Sequence, residues 1–231
     1  MTINWFSEKG YERNTNNDFA AIKYRDGNIF AVLVDGSEKG PNGDKLAKYW
    51  AEITLNALEC YEDNTSIVNR LEAEQKNLRN FFLHDTASYC MMNLNTQSKK
   101  IKIWHCGDCL VGLKREEETK FLTSPHILSR QPGITLTGNI EEDKRKKNTL
   151  TSVLESKRFH IPEFTDYNLT NTNYTLFICS DGYWQTFDLN TDIIPILHED
   201  DASQLSITPN KSEYTEVLQQ TDSNNFLHFV T

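Results

Sequence analysis

No stretch of this sequence approaches the ~20 consecutive apolar residues that a membrane-spanning helix needs. The opening MTINWFSEKG has no basic region followed by an apolar run, so it does not read as a secretory leader. Positive charge is in deficit: 24 Lys and Arg stand against 33 Asp and Glu, a formal net charge of −9. That balance lacks the basic stripe of a nucleic-acid binder, but suits carboxylates gathered around a metal. Cysteine is scarce and odd in number, at five, which argues against a disulfide framework and for reduced thiols and a cytoplasmic address. Internal repeats and low-complexity tracts are absent as well.

What is present is an ordinary globular composition, 38% hydrophobic and 11% aromatic. At 231 residues that suffices for one substantial core, and the chain reads as one domain over 1–231. NIFAVLVDG (28–36) is a β-branched, apolar run ended by Asp-Gly, the pattern of a buried strand entering a turn. In 43–61, Leu46, Tyr49, Trp50, Ile53, Ala57 and Leu58 recur at helical spacing. A second amphipathic helix is expected over 66–82, with Ser66 as N-cap. TASYCMMNLN (86–95), KKIKIWHCGD (99–108) and CLVGLKRE (109–116) follow as short strands with polar turns between them. The charged runs within 114–147, REEETK and EEDKRKK, read as solvated loop or strand edge. TLFICSDG (175–182) and SNNFLHFVT (223–231) are two further strands, and Tyr183 and Trp184 are expected to start a short helix. Strands bracketing helices imply a layered α+β architecture with antiparallel pairing where links are short.

One arrangement recurs. Three apolar strands end in an acid beside Gly: AVLVDG with Asp35, IWHCGD with Asp108 and LFICSDG with Asp181. A fourth acid, Asp18, opens a strand-like run. Each Asp-Gly alone is most simply a turn. Together they suggest one cluster, and like charges at close range do not all stay ionised without compensation. Oxygen-only donors suit Mg²⁺ or Mn²⁺, of which Mg²⁺ keeps several waters and needs few protein ligands. Two such ions can clamp a phosphoryl group and acidify a water, and Arg13 would supply a planar fork for phosphate oxygens. The pair Cys106 and Cys109 flanking Asp108 has the spacing of a thiol pair or of half a zinc site. With no second pair at such spacing, it reads better as two small buried residues. His105 beside it reads as a satisfied core or edge histidine.

RNTNND (13–18), VLVDG (32–36), DTA (85–87), CGD (106–108), ICSDG (178–182) and SNNF (223–226) resemble, in order, the motif series of the PP2C (PPM) family of metal-dependent Ser/Thr protein phosphatases. The resemblance spans nearly the whole chain. It implies a four-layer αββα sandwich, two antiparallel sheets face to face and flanked by helices, with metals at one edge. By position it implies Asp35 as the acid bridging two metals, the Gly36 carbonyl and Asp181 as further ligands, and Asp108 as holder of a weaker third ion. It implies Arg13 as the phosphate-binding residue, Asp18 as an acid touching metal-bound water, and Asn224 as the last ligand. The implied activity is hydrolysis of phosphoserine or phosphothreonine by a water activated at a dinuclear Mn²⁺ or Mg²⁺ site. The implied partner is a phosphoprotein made by a Ser/Thr kinase, with no nucleic acid or membrane, and the enzyme is expected to be a monomer. Three positions depart from the family pattern: Asn17 and Asn224 stand where acids are usual, and Ser37 where a His or Met is usual. The alternative is therefore a degenerate relative that binds a phosphoprotein or partner without turnover.

Overall fold

The computed structural model describes residues 1–116, 118–170, 173–185, 199–210, 214–221 and 223–230. Two sheets face each other. One has six strands in the spatial order β12 (Glu216–Thr221), β1 (Thr2–Glu8), β11 (Ala202–Thr208), β10 (Thr175–Cys179), β6 (Leu110–Arg115) and β7 (Glu118–Phe121). The other orders β13 (Phe226–Val230), β2 (Asp18–Arg25), β3 (Asn28–Gly36), β4 (Thr86–Asn95), β5 (Lys100–Cys106) and β9 (Glu163–Asn168), and the short β8 (Leu154–Glu155) pairs with β4. The architecture is the expected α+β sandwich, with one difference. Both sheets are mixed, because β12 runs parallel to β1 and β13 parallel to β2. The chain steps from β11 over β1 to its far side, so β12 reverses β11 and runs along β1. β13 is reached by crossing to the second sheet, where no hairpin dictates its direction.

The alternation of side chains across each strand explains the layering. In β3, Ile29, Ala31 and Leu33 enter the core between the sheets, while Phe30, Val32 and Val34 pack on the opposite face. Both faces are covered, which is why NIFAVLV reads as a continuous apolar run rather than an alternating one. The outer cover is α1 (Gly43–Cys60), whose Leu46, Ala47, Trp50, Ala51 and Leu58 lie in that second cluster, joined by Ile67 and Leu71 of α2 (Asn64–Asn77).

α2 starts earlier than expected. Asp63 is the N-cap and its carboxylate accepts from the Ser66 N–H at 2.8 Å, so Ser66 is the capped residue rather than the cap. The EEDKRKK run is not loop but α3 (Ile140–Lys147), an exposed helix with no apolar stripe to announce it. Its stability comes from its ends. Asn139 caps Glu142, three acids sit in the first turn and the basic residues in the last, the arrangement the helix dipole favours. On the outer face of the first sheet, Leu110, Phe177, Cys179 and Ala202 pack with Tyr183 of the single turn α4 (Asp181–Trp184). No helix among the described residues is long and apolar enough to cross a membrane.

Trp50 tests the layering between α1 and the second sheet. It is fully buried, with its ring edge-on to Tyr89 at 5.7 Å. Trp50→Ala is expected to lower unfolding free energy by about 3–5 kcal/mol in a denaturant titration, whereas Ile140→Ala, on the exposed α3, changes it by less than about 0.5 kcal/mol.

Candidate metal centre

The sheet register brings the first acids together. β2 and β3 pair with Asp18 opposite Asp35, and β4 places Ser88 opposite Asp35 and Ala87 opposite Gly36. Asp108 follows β5 after Gly107, which adopts φ +103°. Its side chain is fixed by Ser88, whose hydroxyl donates to Asp108 Oδ1 at 2.7 Å. From the facing sheet, Asp181 leaves the end of β10 at the first residue of α4. Asp200 sits just ahead of β11, the neighbour of β10. A cleft of about 260 Å³ at this edge is lined by Arg13, Asp35, Gly36, Asp108, Asp181 and Asp200 among others. Asp18 stands behind it, buried. Its Oδ2 accepts from Ser180 Oγ at 2.8 Å, and its Oδ1 has no partner among the described residues.

The backbone around the acids is pinned by other polar groups. Asp201 accepts from the Gly10 N–H at 2.9 Å and the Asn17 N–H at 2.8 Å, tying the 10–17 loop to the start of β11. The Asn17 carbonyl accepts from the Gly36 N–H at 3.1 Å. Gly36 needs its lack of a side chain, because a Cβ there would run into the Gly43 carbonyl at the start of α1. Asp85 takes the Asn42 N–H at 2.7 Å and lies against Gly40, so the acid of the DTA motif holds the 37–44 loop.

Burial and mutual repulsion act on the carboxylates in the same direction. Asp35 is pushed well above the usual carboxylate range by burial, then by Asp18, Asp181, Asp108 and Asp200. Asp181 is raised by burial, then by Asp108 and Asp200; Asp18 by burial, then by Asp201. Asp108 is also raised by burial, with the Ser88 hydrogen bond opposing. Among the described residues two cations line the cleft beside these acids, Arg13 and Lys39. Arg13 is itself engaged: Nε donates to Asp200 Oδ1 at 2.7 Å, and Nη1 meets Glu38 Oε2 at 2.5 Å. A set of buried, oxygen-only, mutually repelling donors with one orphaned oxygen fits a hard divalent cation.

Of the residues singled out from sequence, Arg13, Asp35, Gly36, Asp108 and Asp181 line one cleft and Asp18 lies beside it. Asn224 is not brought there. It is exposed in the bend before β13, and its neighbour Asn225 is the buried one. Asn225 accepts from Trp5 Nε1 at 3.1 Å and donates to Ser7 Oγ at 2.8 Å and to the Asp18 carbonyl at 3.1 Å, a structural clamp. Asp222, the acid two residues before Asn224 that could make up for its missing charge, lies outside the described residues. The residue that does complete the acidic ring is Asp200, which no Asp-Gly motif marks in the sequence. A signal existed: DDASQLSIT (200–208) is a pair of acids opening an alternating strand, as Asp18 opens β2.

No family model matches the chain, and no curated protein sequence matches it. Its three-dimensional fold does match solved structures. The S. agalactiae serine/threonine phosphatase superposes with a TM-score of 0.74 at 17% identity, covering 90% of this chain and 99% of that one. Serine/threonine phosphatase Stp1 from Staphylococcus aureus gives 0.72 at 15%, covering 90% and 94%. The PPM Ser-Thr phosphatase MsPP from Mycobacterium smegmatis, in complex with cacodylate, gives 0.67 at 15%, covering 90% and 98%. The chain has the PP2C-like fold of these bacterial phosphatases.

Proposed function

We propose that this protein is a metal-dependent phosphoprotein phosphatase, hydrolysing phosphoserine and phosphothreonine at two Mn²⁺ or Mg²⁺ ions, with a weaker third. The observation that carries this reading is the convergence of Asp35, Asp108, Asp181 and Asp200 beside Arg13 at one edge of a PP2C-like sandwich. Asp35, the Gly36 carbonyl, Asp181 and Asp200 would hold the two ions, and Asp108 the third. Asp200 supplies the charge that Asn224 would have lacked. Bound ions of this kind supply positive charge and an acidified water for attack on phosphorus.

The chain's own residues do the positioning. Arg13 offers a planar fork to phosphate oxygens, provided the phosphate displaces Glu38 from it. Asp18, buried behind the cleft with one carboxylate oxygen unpartnered among the described residues, acts on Asp35 through its charge. Ser88 fixes the carboxylate of Asp108, and Ser180 that of Asp18, so neither needs to reorganise on substrate arrival. The substrates would be proteins phosphorylated by a Ser/Thr kinase, and the five cysteines, all free, support a cytoplasmic enzyme. One observation favours the alternative of a non-hydrolytic binding module: Arg13 is already held by two carboxylates, Glu38 and Asp200.

Hydrolysis of p-nitrophenyl phosphate and of a phosphothreonine peptide is expected to require Mn²⁺ and to fall roughly 10²–10³-fold in Asp35→Asn. No turnover at millimolar Mn²⁺, with the peptide still bound, would favour the binding module. Stability gives a second, turnover-independent measure. Removing one of several repelling charges should raise the thermal midpoint of metal-free Asp35→Asn above that of metal-free wild type. Adding Mn²⁺ to 100 times its Kd should stabilise only the wild type, by about 2.7 kcal/mol. In Glu38→Gln, KM should drop about 2–5-fold at constant kcat, the range open to a partly exposed ion pair. An unchanged KM there means Glu38 does not compete with phosphate.

A further inference from the structure

A second group of metal-ligating side chains lies outside the acidic cleft. His105 near the end of β5 pairs directly with Glu163 at the start of β9, so the two stand side by side on neighbouring strands. His126, from the segment following β7, stacks on His105 with ring centroids 4.4 Å apart, and its Nε2 lies 3.1 Å from Glu163 Oε2. One ligand atom from each of the three residues lies within 4.8 Å of the others.

The hydrogen bonds define what each imidazole has to offer. His105 Nε2 faces the Ser124 carbonyl at 3.0 Å, which can only accept, so that nitrogen carries the proton. Nδ1 of His105 is then a bare lone pair, and it is buried with no partner among the described residues, on a ring that is 0% exposed. His126 Nδ1 accepts from the Gly107 N–H at 3.2 Å, which leaves Nε2 facing the Glu163 carboxylate. Burial, followed by the adjacent His126, lowers the pKa of His105, in keeping with the neutral, ligating form. The backbone holds His126 in place from both sides: its N–H donates to the Gly107 carbonyl and its carbonyl accepts from Thr151, each at 2.8 Å. An orphaned buried imidazole nitrogen is a cost that a metal ion would remove.

We propose that His105, His126 and Glu163 form a second metal site, of different chemistry from the acidic cleft, that takes a borderline transition-metal ion of the Zn²⁺ or Co²⁺ class. Two imidazoles and one carboxylate with an open fourth position are a donor set such ions favour and Mg²⁺ does not. The half-exposed Glu163 leaves that fourth position to solvent. Bonds of about 2.0–2.2 Å hold tetrahedral ligand atoms about 3.4 Å apart, so the ligand atoms, now within 4.8 Å of one another, close by up to about 1.4 Å and the stacked rings splay on binding. The ion would replace the proton between His126 and Glu163, and clasp β5, β9 and the segment between β7 and α3 at one point. That point adjoins the Gly107 turn that carries Asp108.

The full-length protein, with Mg²⁺ in excess to occupy the acidic cleft, is titrated with Co²⁺ and followed by visible absorption. The expected result is one equivalent of Co²⁺ giving the intense bands of four-coordinate geometry, displaced by Zn²⁺. Those bands should be retained in Asp35→Asn and lost, or weakened at least 10-fold in affinity, in both Glu163→Gln and His126→Asn. Circular dichroism shows whether each variant is folded; if His126→Asn is not, Glu163→Gln, at a half-exposed position, decides alone. Absence of the bands, or bands unaltered by Glu163→Gln, overturns the site and leaves a hydrogen-bonded histidine pair. Bands lost only in Asp35→Asn overturn it too, since the ion then sits in the acidic cleft.

Discussion

Carboxylates crowded at one edge of the sandwich constrain this structure more than any other interaction. Asp18, Asp35, Asp108 and Asp181 are each raised above their usual pKa, burial being the first cause and neighbouring acids adding to it in most cases. Such a cluster opposes folding, and it persists only because the surrounding framework over-determines it. The register of β2 on β3 fixes two of the acids, a serine fixes each of Asp18 and Asp108, and Asp201 knots the loop before Asp18 to the strand after Asp200. The two hydrophobic layers supply the rigidity behind that edge. The proposed ions turn the same repulsion into binding affinity, since what destabilises the empty cleft is what a divalent charge relieves.

Arg13 shows how the same acidity reaches outward. Its guanidinium lies between Asp200 and Glu38, which would also be neighbours of any incoming phosphate. Glu38 follows Ser37 in a loop that in the PP2C pattern carries a His or Met near this place. The departure therefore concerns more than a missing side chain: it introduces a competitor for the arginine. On the proposed reading, a substrate would have to offer more to Arg13 than a half-exposed carboxylate does, which a doubly charged phosphate can.

Where the sequence was legible, a periodic or terminal signal was strong. β3, β4, β5, β6, β10 and α1 announce themselves through long apolar runs or helical spacing, and Asp35, Asp108 and Asp181 through the break at each strand's end. β1 and β12 gave no such signal. Half of β1 is polar, and β12 is a mostly exposed edge, so neither has the composition of a buried strand. α3 is held by caps and charge order rather than by a buried stripe, and a charged run reads equally as loop. By sequence the last-ligand pattern falls on Asn224 in SNNF, although DDAS, with Asp200, also precedes an alternating strand and is the segment at the cleft. Only the pairing of β11 between β1 and β10 separates them. His105 was read as a satisfied histidine, and one of its nitrogens is not.

The position of β1 has a bearing on the order of events during synthesis. It lies between β11 and β12, so β1 precedes both its neighbours in the chain by some 200 residues, Thr2 facing Thr208 and Glu216. Asn225, later still, bonds Trp5, Ser7 and the Asp18 carbonyl. An emerging chain can form the β2–β5 meander and lay α1 on it by local pairing. The acidic edge cannot close until Asp200, Asp201 and β11 have been made. Non-local pairing of this kind is slow, and β1 with its apolar face is open to stray partners throughout the wait. The nascent polypeptide is thus kept from presenting an assembled cleft until β11 is in place.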